Sequence, residues 1–269
     1  MAENQAGQSV DTSAAEAFEK YLVPTVFGPW SQALVDLADP KPGSRLLDVG
    51  CGTGAAARYA AEMLGEKGAV AAIDLNAGMI AHARNLDAGG AVEWHEGDIM
   101  ALPFEDGAFR TIVGNQVLQF LPDRPGALAE MRRVMSTDGR AVFGIYCQLE
   151  LCPAHCAVAN ALDKHDVDPS GIQHPYSFGD PVAVGDLIET AGFRDVSVVR
   201  RTMEARFASP EVFVQALAAG GPSARHALEQ LDETGLQQVI EEVSTALADY
   251  VDADGLRVLT ASNVVVAQR

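Results

Sequence analysis

The spacing of apolar positions changes along the chain. In Ala14 to Leu22 and again in Trp30 to Ala38, apolar residues recur at helical intervals and predict two N-terminal helices. After the turn cluster PKPGS, short apolar runs alternate with longer helix-patterned stretches. The runs predict strands at Arg45 to Val49, Ala69 to Asp74, Val92 to Glu96, Thr111 to Asn115 and Arg140 to Tyr146. The intervals predict helices at Ala55 to Leu64, Gly78 to Asn85 and Pro125 to Met135. Runs such as AVAAID and TIVGN are apolar nearly throughout, as parallel strands covered on both faces must be. The expected fold is therefore α/β, a Rossmann-like doubly wound sheet.

Past Tyr146 the pattern predicts helices at Pro153 to His165 and Val182 to Ala191, a strand at Ser197 to Phe207, a helix-rich stretch from Pro210 to Tyr250 and a last strand at Arg257 to Ala267. Because the helix-rich stretch sits between two strands, it reads as an insertion over the sheet. The expected organisation is a lid of N-terminal helices in residues 1–44, a core in 45–208 and 256–269, and a helical insertion in 209–255 covering the active site. The first ten or so residues, polar and small, predict a disordered start. No internal repeat is visible.

Composition narrows the function. With 37 Asp and Glu against 19 Lys and Arg the formal charge is -18, so a nucleic acid would be repelled before docking. No apolar run reaches membrane-span length and the N-terminus lacks a signal-peptide pattern, which predicts a cytoplasmic protein. Four cysteines, Cys51, Cys147, Cys152 and Cys156, are too few for a disulfide scaffold in 269 residues and read as thiols.

The candidate chemistry gathers at the carboxyl ends of the predicted strands. LLDVGCGTGAAARYAAE places Asp48 before a turn made by Gly50, Gly52 and Gly54, and GCGTGA also fits the loose dinucleotide pattern, so a nicotinamide oxidoreductase is one reading. Asp48 argues against it: a carboxylate repels a pyrophosphate, whereas it attracts the sulfonium and ammonium of S-adenosylmethionine. Asp74, with Leu75 beside it, ends the second strand where a carboxylate can accept both ribose hydroxyls, in either kind of cofactor. In EGDIMALPF, Asp98 can accept the amino group of adenine and Ile99 can meet the ring face. Asn115 and Gln116 end the fourth strand, where a transferable methyl group would point.

Together these segments resemble the class I S-adenosylmethionine-dependent methyltransferases, in the small-molecule branch related to the ubiquinone and menaquinone methyltransferases. The resemblance runs from about Arg45 to Tyr146 and is carried by LLDVGCGTG, AIDLNAGMIAHAR, EGDIMALPF and LAEMRRVMSTDGRAVFGIY. It implies S-adenosyl-L-methionine as cofactor, held at its methionine end by Asp48, Gly50 and Gly52, at the ribose by Asp74 and at the adenine by Asp98 and Ile99. It also implies a seven-stranded sheet whose last strand is antiparallel, a role Arg257 to Ala267 could fill. Two positions depart from the family: Arg110 stands where an aspartate is usual, and TDG replaces a two-glycine turn, asking Asp138 to take a turn conformation.

Methyl transfer from a sulfonium is an in-line displacement with an activated leaving group, so alignment, worth about 7 to 11 kcal/mol in favourable cases, matters more than a dedicated base. Candidate catalytic residues are His155, His174 and Gln116. His82 reads as structural, His165 as a packing or surface residue, and His95 as a neighbour of the adenine segment. The thiol trio Cys147, Cys152 and Cys156 lacks a second Cys/His pair, so no metal is expected. Tyr21, Phe27 and Trp30 fit either a lid or a packed helix, and VIEEVSTALADYV fits a lid or a homodimer surface. The expected partner is a small molecule. The rival from another class is a methyltransferase-fold protein that binds the cofactor without transferring its methyl group.

Overall fold

The computed structural model describes residues 10–269, so most of the polar start expected to be disordered lies outside the described residues. The two predicted N-terminal helices are one continuous rod. Helix α1 (Ser13–Ala17) passes into a wider π-helical stretch, Phe18–Phe27, and on into α2 (Gly28–Ala38). Pro24 and Pro29 suggest a break, yet the chain keeps winding because Gly28 N–H reaches back five residues to the Val23 carbonyl. Asp39, in the left-handed conformation, ends the rod.

The sheet comprises β1 (Arg45–Val49), β2 (Ala69–Asp74), β3 (Val92–Glu96), β4 (Phe109–Asn115), β5 (Met135–Tyr146), β6 (Arg194–Phe207), the two-residue β7 (Val251–Asp252) and β8 (Gly255–Gln268). Its order is β3-β2-β1-β4-β5-β8-β6, with β7 on β8; the seven expected strands are present and β7 adds an eighth. Strands β1 to β5 run parallel, and β8 lies antiparallel between β5 and β6. The chain moves outward from β1 to β3 and then crosses back to β4, so the switch point falls between β1 and β4. Their carboxyl ends diverge there and leave room for a ligand.

Helices α3 (Ala55–Leu64), α4 (Ala77–Leu86) and α5 (Arg124–Val134) supply the crossovers. The small buried residues Ala56, Ala57 and Ala60 let α3 lie close to the sheet and to α2. Next come α6 (Pro153–Lys164), α7 (Ser170–Gln173) and α8 (Pro181–Thr190), then between β6 and β7 come α9 (Pro210–Gly220), α10 (Arg225–Leu228) and α11 (Glu233–Ala246). Val239, Ile240 and Val243 of α11 are buried in a cluster with α6 and α9, which uses its apolar stripe inside the chain. The rod and α9 meet backbone to backbone: a Cβ on Gly220 would lie 2.5 Å from the Phe18 nitrogen.

Strand β5 begins five residues earlier than its apolar run predicts, because Met135 pairs with Phe109 before the register shifts. Asp138 therefore lies within the strand, without the positive φ a tight turn would ask of it. Its side chain accepts from Ser136 Oγ at 2.9 Å and pairs with Arg110 Nη2 at 3.1 Å, so the two departures from the family pattern contact each other.

Candidate active site

At the end of β1 the backbone turns into α3 through glycines with positive φ, +62° at Gly50 and +84° at Gly54. Space reinforces the demand. A Cβ on Gly50 would lie 2.3 Å from Val117 Cγ2, and one on Gly54 2.1 Å from the Trp94 ring. Asp48, buried just before the turn, accepts from Ala57 N–H at 3.0 Å through Oδ2, while its Oδ1 has no partner. Burial pushes its carboxyl up to about 8, against the pull of the Ala57 N–H and with a further push from Asp74.

Asp74, at the end of β2, accepts from Gly52 N–H at 2.8 Å and Asn76 N–H at 2.9 Å. It ties the glycine turn to the second strand and keeps lone pairs for two hydroxyls; burial raises its pKa also, against those N–H groups. Leu75 beside it is 73% exposed, an apolar side chain held open on the cavity wall. Asp98 caps the short turn Ile99–Ala101 by accepting from Met100 N–H at 2.9 Å, and Ile99 is buried beneath.

Asn115 Nδ2 donates to the Phe27 carbonyl at 3.2 Å and to Ser31 Oγ at 3.0 Å, fastening the rod to the end of β4, and its buried Oδ1 has no partner. Gln116, at φ +59°, donates to Ser262 Oγ at 2.7 Å and accepts from Gln119 Nε2 at 3.0 Å. All eight residues read from the sequence as cofactor-binding, together with Gln116, line one cavity of about 390 Å³.

The other catalytic candidates lie elsewhere. His155 lines a neighbouring chamber of about 30 Å³, and His174 is exposed and lines neither. His165 pairs with Glu242 of α11 at 3.0 Å, and His95 with Glu93 at 2.9 Å. Cys147 and Cys152 are buried, Cys156 donates to the Leu149 carbonyl, and burial raises all three thiols. Among the described residues no three His, Cys, Asp or Glu side chains are placed to hold a metal.

Glu19 escaped the sequence reading. From the rod it accepts from Thr53 Oγ1 inside the glycine turn and pairs with Arg58 of α3 at 2.7 Å. Trp94 was missed too, although its ring fills the space a Cβ on Gly54 would need. Neither carried a local signal, since each acts on a segment 34 or more positions away.

Residues 47–143 match the methyltransferase domain family. Nocamycin O-methyltransferase of Saccharothrix syringae is 32% identical over 208 residues, spanning 70% of this chain and 72% of that protein. The chain belongs to the S-adenosylmethionine-dependent methyltransferases. Within them it resembles the ubiquinone/menaquinone biosynthesis C-methyltransferase of Xanthomonas oryzae, 37% identical over 116 residues, which make up 42% of this chain and 46% of that protein. The match thus spans about half of this second relative. In structure it shares the fold of Haemonchus contortus phosphoethanolamine N-methyltransferase 2, solved with S-adenosylhomocysteine, at TM-score 0.60 and 19% identity over 95% of this chain and 56% of that one. Membership in this family removes the nicotinamide reading. The methyltransferase uses S-adenosylmethionine to methylate a small molecule, and no helix among the described residues is long and apolar enough to cross a membrane.

Proposed function

We propose that this methyltransferase moves a methyl group to oxygen or carbon of a small, largely apolar acceptor enclosed between the N-terminal rod and the helices of residues 209–255. The observation that carries the cofactor half of this reading is Asp48 Oδ1, a buried oxygen without a partner on the wall of the 390 Å³ cavity. A buried carboxylate in that state is costly, and a cationic ligand offsets the cost. Asp48 would face the cationic end of S-adenosylmethionine, Asp74 its ribose, and Leu75, Asp98 and Ile99 its adenine. When bound, the cofactor supplies an activated methyl group. Asn115, Gln116 and Phe27 then shape the edge at which the acceptor is aligned and water is excluded.

The acceptor reading is supported by the walls: Phe18, Phe27, Phe120 and Pro222 join the cavity from the rod, the loop after β4 and the insertion. The two curated relatives are by name an O- and a C-methyltransferase. Free thiols in a region with two buried cysteines suit a reducing, cytoplasmic location. The test is incubation with methyl-labelled cofactor and a panel of phenols, quinols and amines. Label should appear on phenols or quinols; cofactor binding without transfer across the panel would favour the non-catalytic rival, and transfer to amines alone would overturn the acceptor class.

A further inference from the structure

The edge of the sheet at β6 is long and open. Among the described residues no strand lies beyond it, and from Ser197 to Phe207 it pairs with β8 without interruption. Every second residue of an edge strand turns its N–H and C=O away from its neighbour, so β6 carries a row of backbone groups with no strand to receive them. Sheet edges are commonly blunted by proline, lysine or a bulge. This strand, RDVSVVRRTMEARF, has neither proline nor lysine, and its register shift, beside Asp195 at φ +50°, falls between Arg194 and Ser197. The apolar stripe of α11 is consumed inside the chain, whereas this edge is not.

The charges on β6 follow a definite order. Strand alternation sets Arg200, Thr202, Glu204 and Arg206 on one face, and all four are exposed. Glu204 pairs with Arg206 at 3.0 Å and more loosely with Arg257, while Arg200 has no ion pair among the described residues; its neighbour is the Cys147 thiol, a weak partner. A second copy can complete such an edge by antiparallel pairing about a two-fold axis normal to the sheet, which brings like faces together. The charges choose the register. With the axis at Thr202, Arg200 lies opposite the partner's Glu204 on both sides, and the two Thr202 side chains meet at the centre. Moving the axis by one residue sets Arg201 against the partner's Arg201, or Arg200 against the partner's Arg206. Moving it by two sets Arg200 on Arg200, or Glu204 on Glu204. Opposite charges and threonine pairs across a ladder are stabilising, and like charges are destabilising.

We propose that β6 is a homodimer interface, in which two copies pair antiparallel through Ser197–Phe207 about an axis at Thr202 and their sheets become one. Val199, 50% exposed in the single chain, is then covered opposite the partner's Ala205. Strands β5 and β8 stand between this edge and the strand ends that hold the cofactor cavity, so each copy keeps its own site.

Sedimentation equilibrium on the full chain tests the pairing. At about 100 µM the wild type should have twice the monomer mass. Arg200→Glu sets like charges opposite each other twice and should weaken the dimer about tenfold or more; adding Glu204→Arg should recover most of that loss. Thr202→Cys should cross-link two copies, because the residue meets itself at the axis within disulfide reach, the two thiols giving up two electrons and two protons to oxidised glutathione. Ser197→Cys, opposite the partner's Phe207, should not cross-link. Circular dichroism shows that each variant is folded. A monomeric wild type, an Arg200→Glu dimer as tight as wild type, or equal cross-linking at positions 197 and 202 overturns the proposal.

Discussion

The cofactor cavity and the chamber next to it share Phe27 and Pro222 but are built on opposite chemistry. One gathers Asp48, Asp74 and Asp98 around a glycine backbone, and its carboxylates sit in low-dielectric surroundings that raise the first two. The other holds no charged side chain at all. A charged wall and an uncharged, ring-lined wall can lie only a few side chains apart, provided that something apolar separates them. Here Phe27, delivered by the widened stretch of the rod and fixed through its carbonyl to Asn115, is that separator.

The largest blow to the contrast is Gly54→Val. Its Cβ would fall 2.1 Å from the Trp94 ring at φ +84°, which should cost about 3 kcal/mol or more and abolish cofactor binding. Thermal denaturation reads it, and a Tm within a few degrees of wild type would mean that the turn is not the rigid half of the site. Asp74→Ala removes the carboxylate that the glycine turn and the ribose would share. It should weaken S-adenosylhomocysteine about 100-fold in calorimetry; unchanged affinity would undo the placement of the charged half.

A smaller effect follows from Asp48. Its folded value of about 8 lies above the ordinary 3.8, so the folded state holds the proton more tightly than the unfolded one. Stability of the cofactor-free protein should therefore fall as pH rises from about 4 to about 8 and level off above. A cationic ligand favours the ionised form, so S-adenosylmethionine affinity should rise about tenfold between pH 7 and 9, with proton release on binding. Asp48→Asn should flatten both profiles, and a flat wild-type profile would remove Asp48 from the cationic end. The mildest change is near the amino-terminal ends of β4 and β5, opposite the cofactor cavity. Arg110→Ala breaks an exposed pair with Asp138 and should cost below about 1 kcal/mol, with Asp138→Ala adding little further in a double-mutant cycle. Non-additivity well above that size would give the pair a structural weight that its exposure does not suggest.

The cofactor half was legible because it is local. Strands β1, β2 and β3 have the bounds their apolar runs predict, and parallel register puts Asp48, Asp74, Asp98 and Asn115 at one edge without any knowledge of side-chain contacts. The chamber was not legible. Its contacts join distant segments: Thr260 on its wall accepts from Trp30 across 230 positions. Spacing rules carry nothing about such pairs, so Tyr146 and Tyr176 gave no signal of stacking. The rod was misread for a different reason, because proline and glycine mark helix ends in most settings and here a wider turn absorbs both. His174, attractive as a loop histidine, is exposed and lines neither cavity.

The position of β8 has a consequence for how the chain comes together on the ribosome. Because residues 255–268 slot between β5 and β6, both of those strands present unpaired edges until these residues have been synthesised. Strand β6, 14 residues long, then has no neighbour to template it. Trimming this last segment would not shave a border from the sheet but split it, leaving the Ser262 and Thr260 anchors of both compartments behind in the lost piece.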